Sequence, residues 1–200
     1  MQNKVFQFKI SLQGISPLIW RRILVPAKYS FWDLHIAIQD SMGWSDSHLH
    51  VFRIQQKRHH AELEIGIPNE DRFEDEQEIL PGWEISIANY FDDVGVTFIY
   101  EYDFGDGWIH EIMLEGILIR EKGQKYPQCI DGAQKCPPED CGGINGYQEM
   151  LEIIADPNND EYNDMITWLG GKYDPKEFNP GKVKFDNPNK RWKIAFEDGL

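Results

Sequence analysis

The stretch Phe98-Ile-Tyr-Glu-Tyr-Asp-Phe-Gly-Asp-Gly-Trp-Ile-His110 decides the fold. Aromatic residues alternate with others on both sides of a Gly-Asp-Gly turn, the pattern of a β-hairpin with one buried face. Two registers compete. A two-residue Asp106-Gly107 loop sets Tyr102 against Glu111 and Phe98 against Glu115, mixing aromatic and acidic residues. A three-residue loop, Gly105 to Gly107, sets Phe104 against Trp108, Tyr102 against His110, Tyr100 against Ile112 and Phe98 against Leu114. The second keeps one face apolar and gives Gly107 the left-handed position of a bulged turn. It also places Glu101 opposite Glu111, but burying the aromatics at about 1.5–3 kcal/mol each outweighs that repulsion.

Outward from the hairpin, Phe6, Phe8, Ile10 and Leu12 alternate with Gln7, Lys9 and Ser11, which predicts a half-buried strand. Gly14 and Pro17 mark a turn, and residues 19–25 read as the returning strand. Ser30 with Asp33 three residues on predicts a capped helix whose buried stripe is Leu34, Ala37, Ile38 and Met42, ended by Gly43. Residues 49–54 and 63–67 are two further strands, and the acidic run 70–78 reads as a solvated loop. After residue 125 the pattern turns helical. Asn145 with Gln148 reads as a cap, followed by a face of Tyr147, Met150, Leu151 and Ile154, and Asp156-Pro157 stops that helix. A second helix carries Tyr162, Met165, Ile166 and Leu169 and ends at Gly170-Gly171; a third begins near Pro188. The expectation is a single α+β domain over residues 1–200. It has an antiparallel sheet of about six to seven strands, a helix after the first two strands and a helical C-terminal third.

The chain has 34 acidic against 20 basic side chains, a net charge of −14. Such a surface repels phosphate backbones and anionic membranes and steers cations or basic proteins toward itself. The short basic clusters Arg21-Arg22, Lys57-Arg58-His59-His60 and Lys190-Arg191 read as solvated strand ends and a helix face. No secretory signal and no apolar run of membrane-spanning length is visible, and the odd count of three cysteines does not suit a disulfide framework. A cytoplasmic location is expected.

Few residues carry recognisable chemistry. Asp103-Phe-Gly105 spells a kinase tripeptide, but no phosphate loop, catalytic loop or strand Lys accompanies it, so it is read as a turn. His110 is read as a core histidine, with Asp103 and Asp106 near enough in sequence to offer it a carboxylate for metal binding or proton transfer. His48 and His50 fall on one strand face and could join a metal site. Cys129, Cys136 and Cys141 are a zinc candidate with incomplete spacing, for which His110 or Asp140 would have to supply the fourth ligand. Buried thiols packed as small hydrophobes are the alternative, and no base for a nucleophilic cysteine is evident. Asp156-Pro-Asn-Asn-Asp160 lacks the Gly and Glu of a calcium loop.

Taken together, several blocks resemble the plasmid pRiA4b ORF-3-like family, whose members also occur as passengers in some insertion elements. They are Pro17-Leu-Ile-Trp-Arg-Arg22, Leu34-His-Ile-Ala-Ile38, Met42-Gly-Trp44, His48-Leu-His-Val-Phe52 and the hairpin. The pattern continues through Tyr126-Pro-Gln-Cys129, Cys136-Pro-Pro-Glu-Asp-Cys-Gly-Gly143, Gly146-Tyr147, Trp168-Leu-Gly170, Tyr173-Asp-Pro175 and Phe178, with Tyr173 where the family pattern suggests Phe. The resemblance implies a compact α+β domain and says little of activity. A resolvase role is not supported, because Ser11 and Ser16 lack the catalytic surroundings of a serine recombinase.

The leading expectation is a non-enzymatic binding or interaction module using Trp20, Arg21, Asp103, Asp106, Trp108 and His110. Its partner would be a protein or small molecule, and no cofactor is required unless zinc binds the cysteines. The alternatives are a metal-dependent or acid–base enzyme built on Asp103, Asp106 and His110, and a nucleic-acid-associated protein of mobile elements. The net charge yields a first prediction: random duplex DNA is not shifted in a gel at low micromolar protein and about 150 mM salt, because counterion release cannot be recruited. A retarded band under those conditions refutes it.

Overall fold

The computed structural model describes residues 3–55, 62–68 and 77–197; the basic cluster 57–60 and most of the acidic run 70–78 lie outside them. Among the described residues, β1 (Lys4–Leu12), β2 (Ile19–Pro26), β3 (His50–Gln55), β4 (Glu62–Gly66), β5 (Ile79–Pro81), β6 (Thr97–Tyr102), β7 (Trp108–Ile119) and β8 (Gln128–Ala133) form one sheet. Its order is β5-β4-β3-β6-β7-β1-β2-β8. Four helices accompany it: α1 (Phe31–Met42), α2 (Gly143–Ala155), α3 (Tyr162–Trp168) and α4 (Pro188–Phe196).

The α+β class is as expected, but the sheet has eight strands and is mixed, because β4 and β5 run parallel. The two strands that pattern reading misses are both edges. β5 is only three residues long, and β8 carries Gly132 and exposed Ile130 in place of an alternating apolar face. Gly132 is needed there, since a Cβ would stand 2.4 Å from the Phe178 ring.

Alternation within the strands sends Phe6, Phe8, Ile10, Leu12, Ile23, Phe52, Phe98, Tyr100, Tyr102, Trp108, Ile112 and Leu114 into the core. Leu34, Ala37, Ile38 and Met42 of α1 are buried in the same cluster. Ser30 caps α1 with the reciprocal Asp33 bond, and Gly43 closes it at φ 90°. The outer face is polar: Arg22 bridges Glu115 and Asp131, while Arg53 joins Glu64 and Glu101 across β4, β3 and β6. With Glu101 opposite Ile109, the expected Glu101–Glu111 repulsion does not arise.

The hairpin register differs from expectation by two residues. Tyr102 faces Trp108, Tyr100 faces His110 and Phe98 faces Ile112, around a turn of residues 103–107. Asp103 makes the difference. At φ 55° its carboxylate accepts from the Gly105 and Asp106 amides, and its carbonyl accepts from Gly107. That local closure ends the ladder early and leaves Phe104 49% exposed. A shift of two keeps the parity, so the same face of the hairpin stays buried.

The start of α2 also departs from pattern. Gly142, not Asn145, is the N-cap, and no side chain caps the helix. Gly143 backs onto the hairpin turn, where a Cβ would meet the Asp106 carbonyl at 2.5 Å, and Gly146 lies against the Cys141 carbonyl. The buried residues of α2 are accordingly Tyr147, Met150 and Ile153, with Leu151 and Ile154 half-buried.

Arg21 is not a solvated strand end but is 1% exposed. Its Nε donates to the Ser41 carbonyl at 2.9 Å, and Nη1 donates to the carbonyls of Trp20 at 2.8 Å and Ala133 at 3.0 Å. The guanidinium also stacks 3.7 Å from the Phe178 ring. One side chain thus joins β2, β8, the C-terminal end of α1 and the C-terminal segment. Replacing Arg21 by Lys keeps the charge but cannot reach these acceptors together. Urea denaturation should show a loss of about 2–4 kcal/mol; a variant within about 0.5 kcal/mol of wild type would remove Arg21 from this role.

Candidate functional site

Three loops meet at one end of the sheet: the hairpin turn 103–107, the chain after α1 (residues 44–48) and the segment 136–141. Trp44 Nε1 donates to the Pro137 carbonyl at 2.9 Å, and its ring stacks on Tyr102 at 5.1 Å. Glu139 gathers the rest. It accepts from the Tyr102 hydroxyl at 2.5 Å, the Ser45 hydroxyl at 2.5 Å and the Ser45 amide at 2.8 Å. Tyr102 in turn accepts from the Ser47 amide at 3.0 Å. Burial and the nearby Glu139 carboxylate both raise the Tyr102 pKa, so the phenol remains a donor.

Beside this cluster stands His48. Its Nε2 lies 2.9 Å from Asp140 Oδ1 and 3.6 Å from Asp103 Oδ2, and donor atoms of the three residues are within 4.8 Å of one another. Nε2 is enclosed yet makes no hydrogen bond, and Asp106 Oδ2 in the neighbouring turn is also buried without a partner.

Deeper, under α1, a second polar group is fully satisfied at its centre. His35 Nε2 meets Asp46 Oδ1 at 2.6 Å, His35 Nδ1 meets the Tyr100 hydroxyl at 2.8 Å, and Gln39 donates to that hydroxyl at 2.9 Å. Since the carboxylate can only accept, His35 carries its proton on Nε2, and the phenol donates to Nδ1 when the ring is neutral. His50 stacks on His35 with centroids 3.5 Å apart and planes within 7°. Parallel stacked rings aim their lone pairs side by side, so this group suits a metal poorly although its donors are close. Burial, and then the neighbouring His35, hold the His50 pKa well below its ordinary value.

The residues expected to form a site are dispersed. His110 is 0% exposed between Trp44 and Tyr100, and neither ring nitrogen has a partner. It does not join Asp103 and Asp106 in a donor group; His48 and Asp140 join Asp103 instead. His48 and His50, expected on one strand face, belong to different groups. Trp108 is buried, Trp20 lies half-buried with Lys9 and Arg22 over its ring, and Arg21 is a structural tie. The cysteines are free, and their sulfurs do not form a donor group of three among the described residues. Burial pushes the Cys136 and Cys141 thiols up to about 12, so neither is a ready nucleophile.

A groove flanks the 136–141 segment. One part, about 500 Å³, lies between Trp44, the two prolines Pro137 and Pro138, Trp168 and Tyr173. The other, about 360 Å³, has Met150, Ile153, Met165 and Trp168 as its floor and Asp140, Glu149 and Glu161 around it. Trp168 is shared by both and is 51% exposed. Sequence reading gives Trp168, Glu149 and Glu161 no site role, because each falls in or beside an ordinary helix pattern. It gives none to Asp46 and Glu139 either, whose partners lie on other elements.

The chain matches the model of the plasmid pRiA4b ORF-3-like protein family over residues 4–182 and belongs to that family. It is 31% identical over 191 residues to the uncharacterized protein y4hQ of Sinorhizobium fredii, covering 95% of this chain and 91% of the relative. The crystal structure of MM3350, a protein of unknown function from Methanosarcina mazei, superposes with a TM-score of 0.82 at 40% identity. The superposition covers 92% of this chain and 100% of that one.

Burial brings the His110 pKa down to about 4. The unfolded chain therefore binds more protons than the folded one between pH about 6.5 and about 4. The stabilisation is fully present above about 6.5 and is lost as pH falls toward 4, on the order of 3 kcal/mol for this group. His50 acts in the same direction. Asp40, raised by burial to about 6, opposes them, gaining stability as pH falls from about 6 to about 4. His110→Leu removes an unpaired N–H and should leave stability at pH 7 unchanged or raised. Between pH 7 and 5 its unfolding midpoint should drop less than that of wild type; an equal drop would refute the assignment.

Proposed function

We propose that this member of the plasmid pRiA4b ORF-3-like family is a non-enzymatic interaction module that takes a basic amphipathic segment of another protein. The segment binds in the groove beside residues 136–141. The observation that carries this reading is the composition of the groove. Exposed Trp168 and half-buried Met165 offer an apolar floor backed by the buried Met150, and Glu149 and Glu161 stand at its edge without a salt bridge among the described residues. Lys and Arg side chains combine an aliphatic stem with a cationic head, so they match such a floor and rim together. The flexible Met165 side chain can adapt to more than one apolar side chain. The net charge of −14 adds steering toward basic partners.

An enzymatic reading on Asp103, Asp106 and His110 has less support, because His110 is enclosed and its partners are aromatic. The module acts in the cytoplasm on this reading, a compartment in which three free thiols persist. Among the described residues no helix is long and apolar enough to cross a membrane.

Calorimetry with a panel of short Lys/Leu and Arg/Leu helical peptides, and acidic counterparts as controls, tests the proposal. The basic peptides should bind with micromolar affinity that weakens with salt, and the acidic ones should not bind. Trp168→Ala, or Glu149→Lys with Glu161→Lys, should weaken binding about tenfold or more. Unchanged affinity in those variants, or no binding by any basic peptide below millimolar concentration, would overturn it.

A further inference from the structure

We propose that His48, Asp103 and Asp140 form a binding site for a first-row divalent transition-metal ion where the hairpin turn meets the 136–141 segment. The site borders the groove, because Asp140 also lies at the groove's edge. It is assembled from three places in the chain, and its donor atoms lie within 4.8 Å of one another. The spacings have the right scale. Ligand atoms held at about 2.0–2.2 Å from a tetrahedral or octahedral ion are about 2.8–3.6 Å from each other. Nε2 of His48 stands 2.9 Å from one carboxylate oxygen and 3.6 Å from the other.

An ordinary imidazolium–carboxylate contact is the alternative, and the convergence of two carboxylates on one ring nitrogen distinguishes the site from it. Asp140 Oδ1 is 2.9 Å from the enclosed Nε2, Asp103 Oδ2 is 3.6 Å from it, and neither contact is a regular hydrogen bond. A metal ion at this point accepts the Nε2 lone pair and balances the two carboxylates together. Asp103 is prepared in the same sense. Its Oδ1 is committed to the Gly105 and Asp106 amides, which fixes the carboxylate and leaves Oδ2 for the site. Among the described residues no Lys or Arg pairs with Asp103 or Asp140, so two neighbouring carboxylates share only a histidine.

The donor set chooses the ion. One imidazole nitrogen with carboxylate oxygens suits zinc, manganese, iron or cobalt, whereas calcium and magnesium call for all-oxygen shells. Three protein ligands leave coordination positions for water or for a group brought by a partner.

The test uses the full chain, purified without a metal-affinity step and stripped with a chelator. Zinc chloride and manganese chloride are titrated by calorimetry, with magnesium chloride as the hard-cation control. The expected result is one equivalent of zinc or manganese bound at micromolar affinity, with magnesium far weaker. His48→Ala and Asp140→Asn should each weaken binding at least about tenfold, while Cys136→Ala and Cys141→Ala should not. The half-exposed His48 and exposed Asp140 make unfolding an improbable outcome for these variants, and the urea midpoint of each metal-free variant checks it. Cobalt substitution gives a second reading: a visible d–d band that His48→Ala abolishes, without a thiolate charge-transfer band. No saturable binding below millimolar metal, full affinity in His48→Ala or Asp140→Asn, or a thiolate band would each overturn the proposal. Because only metal is titrated, the outcome does not depend on the peptide experiment.

Discussion

A buried arginine, without a carboxylate partner among the described residues, organises this molecule. Arg21 lies on the core face of β2, where alternation alone would place an apolar residue, and its guanidinium is spent on three backbone carbonyls. One of them, Ser41, is in the last turn of α1, where carbonyls have no partner within the helix. A cation at a helix C-terminus is also favoured by the helix dipole. Burial lowers the Arg21 pKa, yet an arginine keeps its charge under that pressure, so the tie survives in a site that would neutralise a lysine. The edge strand β8 and the segment around Phe178 are held through the same group.

The rest of the polar interior extends from that end of α1. His35, Gln39, His50, Tyr100 and His110 share the core with Phe and Ile side chains, an expensive composition unless hydrogen bonds are made. At the centre they are made, by Asp46, His35, Tyr100 and Gln39 in sequence. At the margins they are not: His50 Nδ1, Gln39 Oε1 and both nitrogens of His110 lack partners. The unpaired groups make this half of the core sensitive to acid. α4 closes it from outside, through Trp192 and Phe196 against Trp32 and through Arg191 near Asp46.

Backbone geometry concentrates at the same end. Asp46, Asp103 and Asp140 all adopt positive φ, a conformation that a short side chain with a local acceptor tolerates better than most. At Asp103 the compensation is explicit, since its carboxylate and carbonyl together close the turn. The turn then serves as the floor for the glycines that open α2, which brings the 136–141 segment against the hairpin. Loop convergence here rests on close backbone approach at the glycines together with the Trp44 and Glu139 side-chain contacts.

How much of this was written in the chain differs by element. The period-two runs of β1 and β6, the Ser30–Asp33 cap and Gly43 are local signals, and each corresponds to the element found. The α+β class followed from them, and the family resemblance from motif blocks such as the hairpin and Cys136-Pro-Pro-Glu-Asp-Cys-Gly-Gly143. Edge strands β5 and β8 were silent, because a strand supported on one side needs no alternating face. The hairpin parity was legible, while its register depended on a turn in which Asp103 competes with the ladder. Function-bearing groups were the least legible. The pairing of His48 with Asp103 and Asp140, and of His35 with Asp46 and Tyr100, joins residues from separate segments. Sequence patterns report which side chains face the core of their own element. Only the packing of α1, the hairpin and the 136–141 segment against one another decides which of those side chains meet.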